Sequence, residues 1–480
     1  MTTVDFRALE YRADATFQET PYRYEGALDG GWRVLREGRP HLELPAGYRL
    51  LRSLECGVCA TDLARRFLPF PLPQIIGHEV IARDESGRLV AAEINASHYA
   101  TGSALAAACP FCRAGLHNHC PERLVLGIDR LPGGFAPWIL VPDRNVVEIP
   151  SGLPPDSSVL VEPFAAALHA SERMSLEGAR RVAVLGAGRL GLLIVAALRI
   201  TREARGHTFS IEAVDRQEKR LALARVLGAD VAWDDLDSLL SASGSKPIFD
   251  VVVEATGSPF GLQAALSLAS REVHVKSTTG KETFGLRHLT ELVVDEVSLA
   301  PFQPRLGTSR LPPGGPGSTA LLIGSRFEPE TIRLLESQGF VCRSAPSLED
   351  FEPLKDRERP LAEVQADLVM VDCLERIDRV LRPRPDLEQG LVRPRGTILV
   401  ADVGQTRAGL LGPMLDRGVR ISTSRCGDFH RGIRAMETLS SLGVDLGAVI
   451  TDRMPVSELA LAFERACSPG SIKVVVSQTV

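Results

Sequence analysis

The chain has 480 residues, more than one ordinary core accommodates, so two or three domains are expected. Hydrophobic residues make up 44% and charged residues 24%, the balance of a globular protein. A net charge of −5 with no Lys/Arg block argues against nucleic acid or a membrane surface as a partner. No apolar run reaches the ~20 residues that span a bilayer. The opening MTTVDFRALEYRADATF lacks the basic and apolar regions of a secretory leader, so a cytoplasmic setting is expected.

Residues 1–170 carry short β-like runs and turn residues, such as WRVLREG, RLVAAEI and APWILVP, and predict a mostly β domain. Five of the nine cysteines fall between Cys56 and Cys120, a clustering that reads as metal binding rather than as a disulfide framework. The segment ECGVCATDLARRFLPFPLPQIIGHEVIA places Cys59, Asp62, His78 and Glu79 within about twenty residues. A catalytic zinc takes three such ligands and keeps a fourth position open. Cys59 and His78 suit it, Glu162 in LVEPFAAALHA is the best third ligand, and Glu79 is a neighbouring or alternate one. Asp62 could orient the His78 ring from behind. Further on, ACPFCRAGLHNHC sets Cys109, Cys112 and Cys120 at metal-ligand spacing.

From residue 171 the texture changes. RRVAVLGAGRLGLLIVAALR is a strand, a glycine turn and an apolar helix, and SIEAVD, FDVVVEATG and REVHVKST are further strands separated by helices. This alternation predicts a doubly wound parallel sheet over 171–302. Gly186-Ala187-Gly188-Arg189-Leu190-Gly191 opens a helix after a strand, where glycines let the backbone approach a pyrophosphate. Asp215 ends the next strand, placed to accept hydrogen bonds from ribose hydroxyls and to repel a 2′-phosphate. NAD is therefore favoured over NADP, with Arg216 beside it weakening that preference. Residues 303–318 (QPRLGTSRLPPGGPGS) read as a linker. After it STALLIGSRFEPETIRLLESQG, ADLVMVDC and RPRGTILVADVG repeat the strand–helix pattern, so 319–425 reads as a second, degenerate α/β copy. Its turn, Gly324-Ser325-Arg326-Phe327, lacks the later glycines, and no cofactor is expected there.

In these segments the chain resembles the zinc-containing medium-chain dehydrogenases, the alcohol, sorbitol, glucose and threonine dehydrogenases. GVCATD, GHE, VEPFAAALHA, VLGAGRLG and GGFAPWILVPDRNVVEIPSGLP recur in the family's order over residues ~25–300 and ~415–480. The resemblance implies an α/β protein with a GroES-like catalytic domain (1–170, completed by 426–480), a Rossmann domain and a second Rossmann-like domain. It implies Zn2+ and NAD as cofactors, an alcohol as small-molecule substrate, and Thr61 as the start of a proton relay. A glutamate at the third ligand position points toward the polyol, sugar and threonine branch. It also implies that Lys473 in SIKVVV lies near the pyrophosphate. Ala106 stands where the family's structural-zinc lobe has its first cysteine, so either His98, His117 or His119 substitutes or the lobe is degraded; degradation is the expectation. Relatives dimerise by joining the edge strands of two cofactor domains, so an internal copy predicts an intrachain pseudo-dimer, the alternative being a homodimer. A metal-free reductase on the same scaffold and a catalytically weak binding protein stay open as other readings.

Overall fold

The computed structural model describes residues 1–478 apart from 245, 277–285, 288, 303–311, 313, 316, 325–326, 352–363, 374, 384–389 and 402–415. The predicted linker therefore lies largely outside the described residues. The chain forms two compact units, Met1–Ala167 with Cys426–Val480, and Leu168–Arg425.

The first unit opens with four antiparallel strands in sequential order, β1 (Thr2–Tyr11), β2 (Phe17–Ala27), β3 (Gly31–Arg36) and β4 (Arg39–Leu44). Alternating aromatic and aliphatic side chains give this sheet one apolar face, on which Tyr22, Tyr24, Trp32 and Val34 are buried. One buried charge interrupts it. Glu10 receives two bonds from the Arg36 guanidinium, at 2.5 and 2.8 Å, with Thr20 and Tyr22 donating their hydroxyls. Then follow β5 (Tyr48–Gly57), β6 (Glu79–Arg83) and β7 (Leu89–Ala92), the short β8 (Asn95–Ala96), β9 (Leu124–Leu126) and β10 (Arg130–Leu131), and finally β11 (Trp138–Pro142) and β12 (Val146–Glu148). β8, β9 and β10 make a small separate sheet.

The second unit is built on one eleven-stranded sheet. Its strands are β13 (Arg181–Leu185), β14 (Ser210–Val214), β15 (Val231–Trp233), β16 (Phe249–Glu254), β17 (Ala269–Val275), β18 (Ser298–Phe302), β19 (Thr319–Ile323), β20 (Val341–Ala345), β21 (Ala366–Val371), β22 (Val392–Ala401) and β23 (Arg420–Thr423). Their order across the sheet is β15-β14-β13-β16-β17-β23-β18-β22-β21-β19-β20. β13, β16, β19 and β21 are near-continuous apolar runs, as strands covered on both faces must be. The two predicted α/β segments thus share a single sheet and a single compact unit. Within it, all neighbours are parallel except β18 and β23, which meet antiparallel at Leu299 and Ile421.

After Arg425 the chain returns to the first unit. β24 (Ile450–Pro455) and β25 (Lys473–Ser477) complete its seven-stranded sheet, β12-β7-β6-β5-β25-β24, with β11 also paired to β5. β25 therefore lies inside the sheet rather than at its edge.

The buried pair at Glu10 sets a stability prediction. Burial alone would raise this carboxyl, but Arg36, Tyr22 and Thr20 together hold it below its ordinary value. A depressed carboxylate contributes stability above its unfolded pKa of ~4.3, lost as pH falls through the lower folded value. Glu10→Ala should cost about 3 kcal/mol at pH 7, because it strands Arg36 and two hydroxyls. Denaturant titration of wild type and variant should show that gap closing below pH ~4.

Candidate metal and cofactor sites

Cys56 and Cys59 lie three residues apart at the end of β5, and the chain's geometry separates their roles. Cys56 points into the core, fully buried, where burial first and the nearby acidic groups second push its thiol well up. Cys59 lies past the strand end, half-buried, at the start of the turn Ala60–Leu63. The backbone N–H of Cys59 donates to Asp62 Oδ2 at 2.8 Å, and Asp62 Oδ1 lies 3.3 Å from Nδ1 of His78. Asp62, 1% exposed, thus accepts from the Cys59 backbone and stands beside the His78 ring. Thr61 sits half-buried in the same turn. Gly77, at φ +97, turns the chain so that His78 and then Glu79 enter β6 beside β5.

Cys59, His78 and Glu79 bring their ligand atoms within 4.8 Å of one another. The donor set is one thiolate, one imidazole and one carboxylate, the mixture that zinc accepts. Burial works against a charged His78 ring, yet Asp62 and Cys59 outweigh it and hold the imidazolium well above its usual range. The surroundings thus favour positive charge at this point. Glu162 is not among these three. It occupies the first turn of the helix Val161–Arg173, half-buried. Its charge and that of Asp428 add to burial in pushing the Glu93 carboxyl up to about 7.

Lys473 has partners within the first unit. It is 3% exposed on the interior strand β25, where its ammonium pairs with Glu79 and donates to the Val58 carbonyl at 3.1 Å. The register of β25 beside β5 brings it there, a pairing between residues 394 positions apart that local sequence does not reveal. Its partner is therefore the buried carboxylate beside the metal-ligand cluster.

A histidine joins the three cysteines of the lobe. His98, Cys109, Cys112 and Cys120 place their ligand atoms within 4.8 Å of one another. Nδ1 of His98 lies 3.3 Å from Cys120 Sγ and 3.4 Å from the Cys109 backbone nitrogen, and its Nε2 lies 3.3 Å from Glu122. One ring nitrogen thus faces the thiols while a carboxylate holds the other, the arrangement that orients metal-binding histidines. His117 is engaged otherwise, stacked on Tyr99 with ring centres 4.1 Å apart. Of the three histidines that could stand in for the cysteine missing at Ala106, His98, eight residues upstream, is the one grouped with the thiols, and a Cys3His set is one that zinc accepts.

In the second unit the glycine turn lies between β13 and the helix Arg189–Arg205. Gly186 has φ +92. A Cβ at Gly188 would meet nothing within 4 Å, and one at Gly191 would sit 1.8 Å from the Gly186 carbonyl. The second glycine thus opens space at the helix start while the third permits close packing, as a dinucleotide turn requires. Asp215 follows β14, accepting from the backbone of Ala187 and Gln217 at 2.9 Å each. Arg216 is exposed beside it, and Leu190 and Arg189 begin the helix. Glu254, which the sequence reading did not single out, accepts from the Thr256 and Gly257 backbone and shapes the loop facing Gly186. Gly324, at the corresponding place after β19, differs: a Cβ there would lie 2.4 Å from the Asp372 carboxylate.

The profile of the alcohol dehydrogenase GroES-like domain matches residues 46–151. An L-threonine 3-dehydrogenase of Anaeromyxobacter dehalogenans is 31% identical over 225 residues, covering 43% of this chain and 62% of the relative. The chain thus spans about 62% of the length of the first curated relatives it matches. Two solved structures share the fold. They are an alcohol dehydrogenase of Thermotoga maritima (TM-score 0.53, 16% identity, 99% of each chain) and the L-idonate 5-dehydrogenase of Escherichia coli (0.52, 15%, 99% of each). Residues 46–151 therefore match an alcohol dehydrogenase GroES-like domain, and the chain is similar in sequence to threonine dehydrogenases and in fold to alcohol and polyol dehydrogenases.

Proposed function

We propose that the protein oxidises a secondary alcohol or polyol-like substrate to a carbonyl, or runs the reverse reduction, with NAD as hydride carrier. The observation that carries this reading is the convergence of Cys59, His78 and Glu79 on one point. A zinc ion held there acts as a Lewis acid that lowers the pKa of an alcohol oxygen. The nicotinamide does the redox work.

The chain's own residues have distinct tasks. Cys59 and His78 supply the soft and borderline ligands, with Glu79 or Glu162 as the carboxylate. Asp62 fixes the His78 tautomer and ring plane, which keeps Nε2 pointed at the cluster. Lys473 neutralises Glu79 and so restrains how strongly that carboxylate competes for the ion. Thr61, next to Asp62, carries the hydroxyl that takes the alcohol proton toward solvent. The Gly186–Gly191 turn seats the pyrophosphate, and Asp215 selects a ribose with free hydroxyls over a phosphorylated one. The His98, Cys109, Cys112 and Cys120 set takes a second, closed zinc that braces the lobe.

A panel of polyols, sugars, secondary alcohols and hydroxy-amino acids including L-threonine, followed by NAD reduction at 340 nm, tests the reading. At least one substrate should turn over, and chelation should abolish the rate. Turnover by fully metal-free protein would refute the zinc mechanism, and NAD binding without turnover of any alcohol would favour a binding role. Cys59→Ala or His78→Ala should lower kcat/KM at least about 1,000-fold, some 4 kcal/mol of transition-state stabilisation, with an unchanged far-UV circular dichroism spectrum.

Metal analysis separates the two sites. Wild type should hold two zinc ions per chain, Cys59→Ala one, and His98→Ala one. One zinc per chain in the wild type, unaffected by His98→Ala, would restore the degraded-lobe expectation. Burial pushes the Cys120 thiol up to about 12, so filling this set must displace thiol protons, and zinc should be lost from the lobe as pH falls.

A further inference from the structure

The eleven-stranded sheet has two halves of the same winding. Counted outward from the antiparallel junction, one half runs β23, β17, β16, β13, β14, β15 and the other β18, β22, β21, β19, β20. Leaving the junction strands β18 and β23 aside, the first strand in sequence of each half (β13, β19) is fourth from the junction, and its successor (β14, β20) lies just outside it. The junction strands break this correspondence. β18 follows β17 in the chain yet lies beside β22, in parallel register Ser298 to Thr397. β23 follows β22 yet lies beside β17, in register Glu272 to Arg420. Each half has given its last strand to the other.

Both crossed pairings carry polar contacts of their own. His274 of β17, fully buried, bonds Ser422 Oγ at 2.8 Å through Nδ1 and Ser424 Oγ at 2.9 Å through Nε2. Ser422 also donates to Glu272 at 2.5 Å. Burial, with Lys276 and other cations nearby, keeps the His274 ring well below its usual pKa, so it is neutral, and two hydroxyls satisfy its one donor and one acceptor. Across the other crossed pairing Arg395 of β22 bonds Glu296, just before β18, at 2.5 Å, and the Arg395 N–H donates to the Asp295 carbonyl at 2.8 Å. Pairing β18 with β17 instead would remove Ser422 and Ser424 from a buried imidazole, at a cost of about 1–3 kcal/mol for each polar group left unpaired.

An open parallel sheet that ended at β17 and one further strand would present an edge of unpaired N–H and C=O groups, a template for a second chain. Here that edge is occupied by the chain itself. We propose that residues 298–401 serve as a built-in partner subunit, locked by exchange of β18 and β23. A single chain then closes the junction that two copies would otherwise form, and it carries one dinucleotide site, since Asp372 obstructs the second turn. Strand order and side-chain contacts in the second unit carry the exchange, and only the count of one dinucleotide site rests on the proposed use of NAD.

Three measurements on the full-length protein test it. Native mass spectrometry should give a monomer of 51.9 kDa binding one NAD; a dimer, or two NAD per chain, would overturn the single-chain assignment. Oxidation of Glu272→Cys/Arg420→Cys and of Ser298→Cys/Thr397→Cys should form disulfides within one chain, mapped by peptide mass, while Glu272→Cys/Ser298→Cys should not. The reverse pattern, or bonds between chains, would overturn the exchange. Should a cysteine pair fail to fold, hydrogen exchange on wild type replaces it: β18 and β23 should be among the slowest amides, and edge-like exchange of either strand would count against the proposal.

Discussion

A crowded, buried meeting of negative and metal-seeking groups governs the first unit. Cys59 and Glu79 approach His78 within 4.8 Å, and Asp62 stands 3.3 Å behind the ring. Groups of this kind are costly to bury together unless positive charge joins them. Lys473 answers part of that demand through Glu79, and its placement requires β25, from the last residues of the chain, to lie next to β5. The interleaving of the two ends of the sequence into one sheet is therefore a condition of the site's electrostatics as well as of its fold. A chain broken between β12 and β24 would lose the ammonium along with the strand.

The second unit solves a different problem. A sheet with one open edge is a liability, and this chain spends about a hundred residues on covering it. The two halves share their α/β winding but differ after the first strand of each, where Asp372 crowds Gly324 and Gly186 faces the smaller Thr256 methyl. Polar contacts at His274 and at Glu296 then fix which strand goes where, a task that apolar strands of similar length perform poorly.

Much of this was legible in the residues. Apolar runs broken by glycine turns announced the doubly wound sheet, and GxGxxG after a strand announced its cofactor turn, because those patterns are local. Cys59, His78 and Glu79 were legible for the same reason. What sequence could not show were pairings across hundreds of positions. The pairing of Lys473 with Glu79 is hidden until β25 is set inside a sheet, and the exchange of β18 and β23 is invisible when both are merely short apolar runs. His98 was one of three candidates for the missing ligand, and only the fold of the lobe separates it from His117, which stacks on Tyr99. The glutamate expected as third ligand, Glu162, stands in its predicted helix, yet Glu79 is the carboxylate that the structure groups with Cys59 and His78.

The account stands on two metal positions in the first unit, one for chemistry and one for support. Anomalous diffraction from crystals of the protein, recorded on both sides of the zinc absorption edge, locates them without reference to activity. The expected map has one peak among Cys59, His78 and the carboxylate that joins them, and a second of comparable height among His98, Cys109, Cys112 and Cys120. A zinc-replete crystal with no peak at Cys59 and His78 would contradict the central claim.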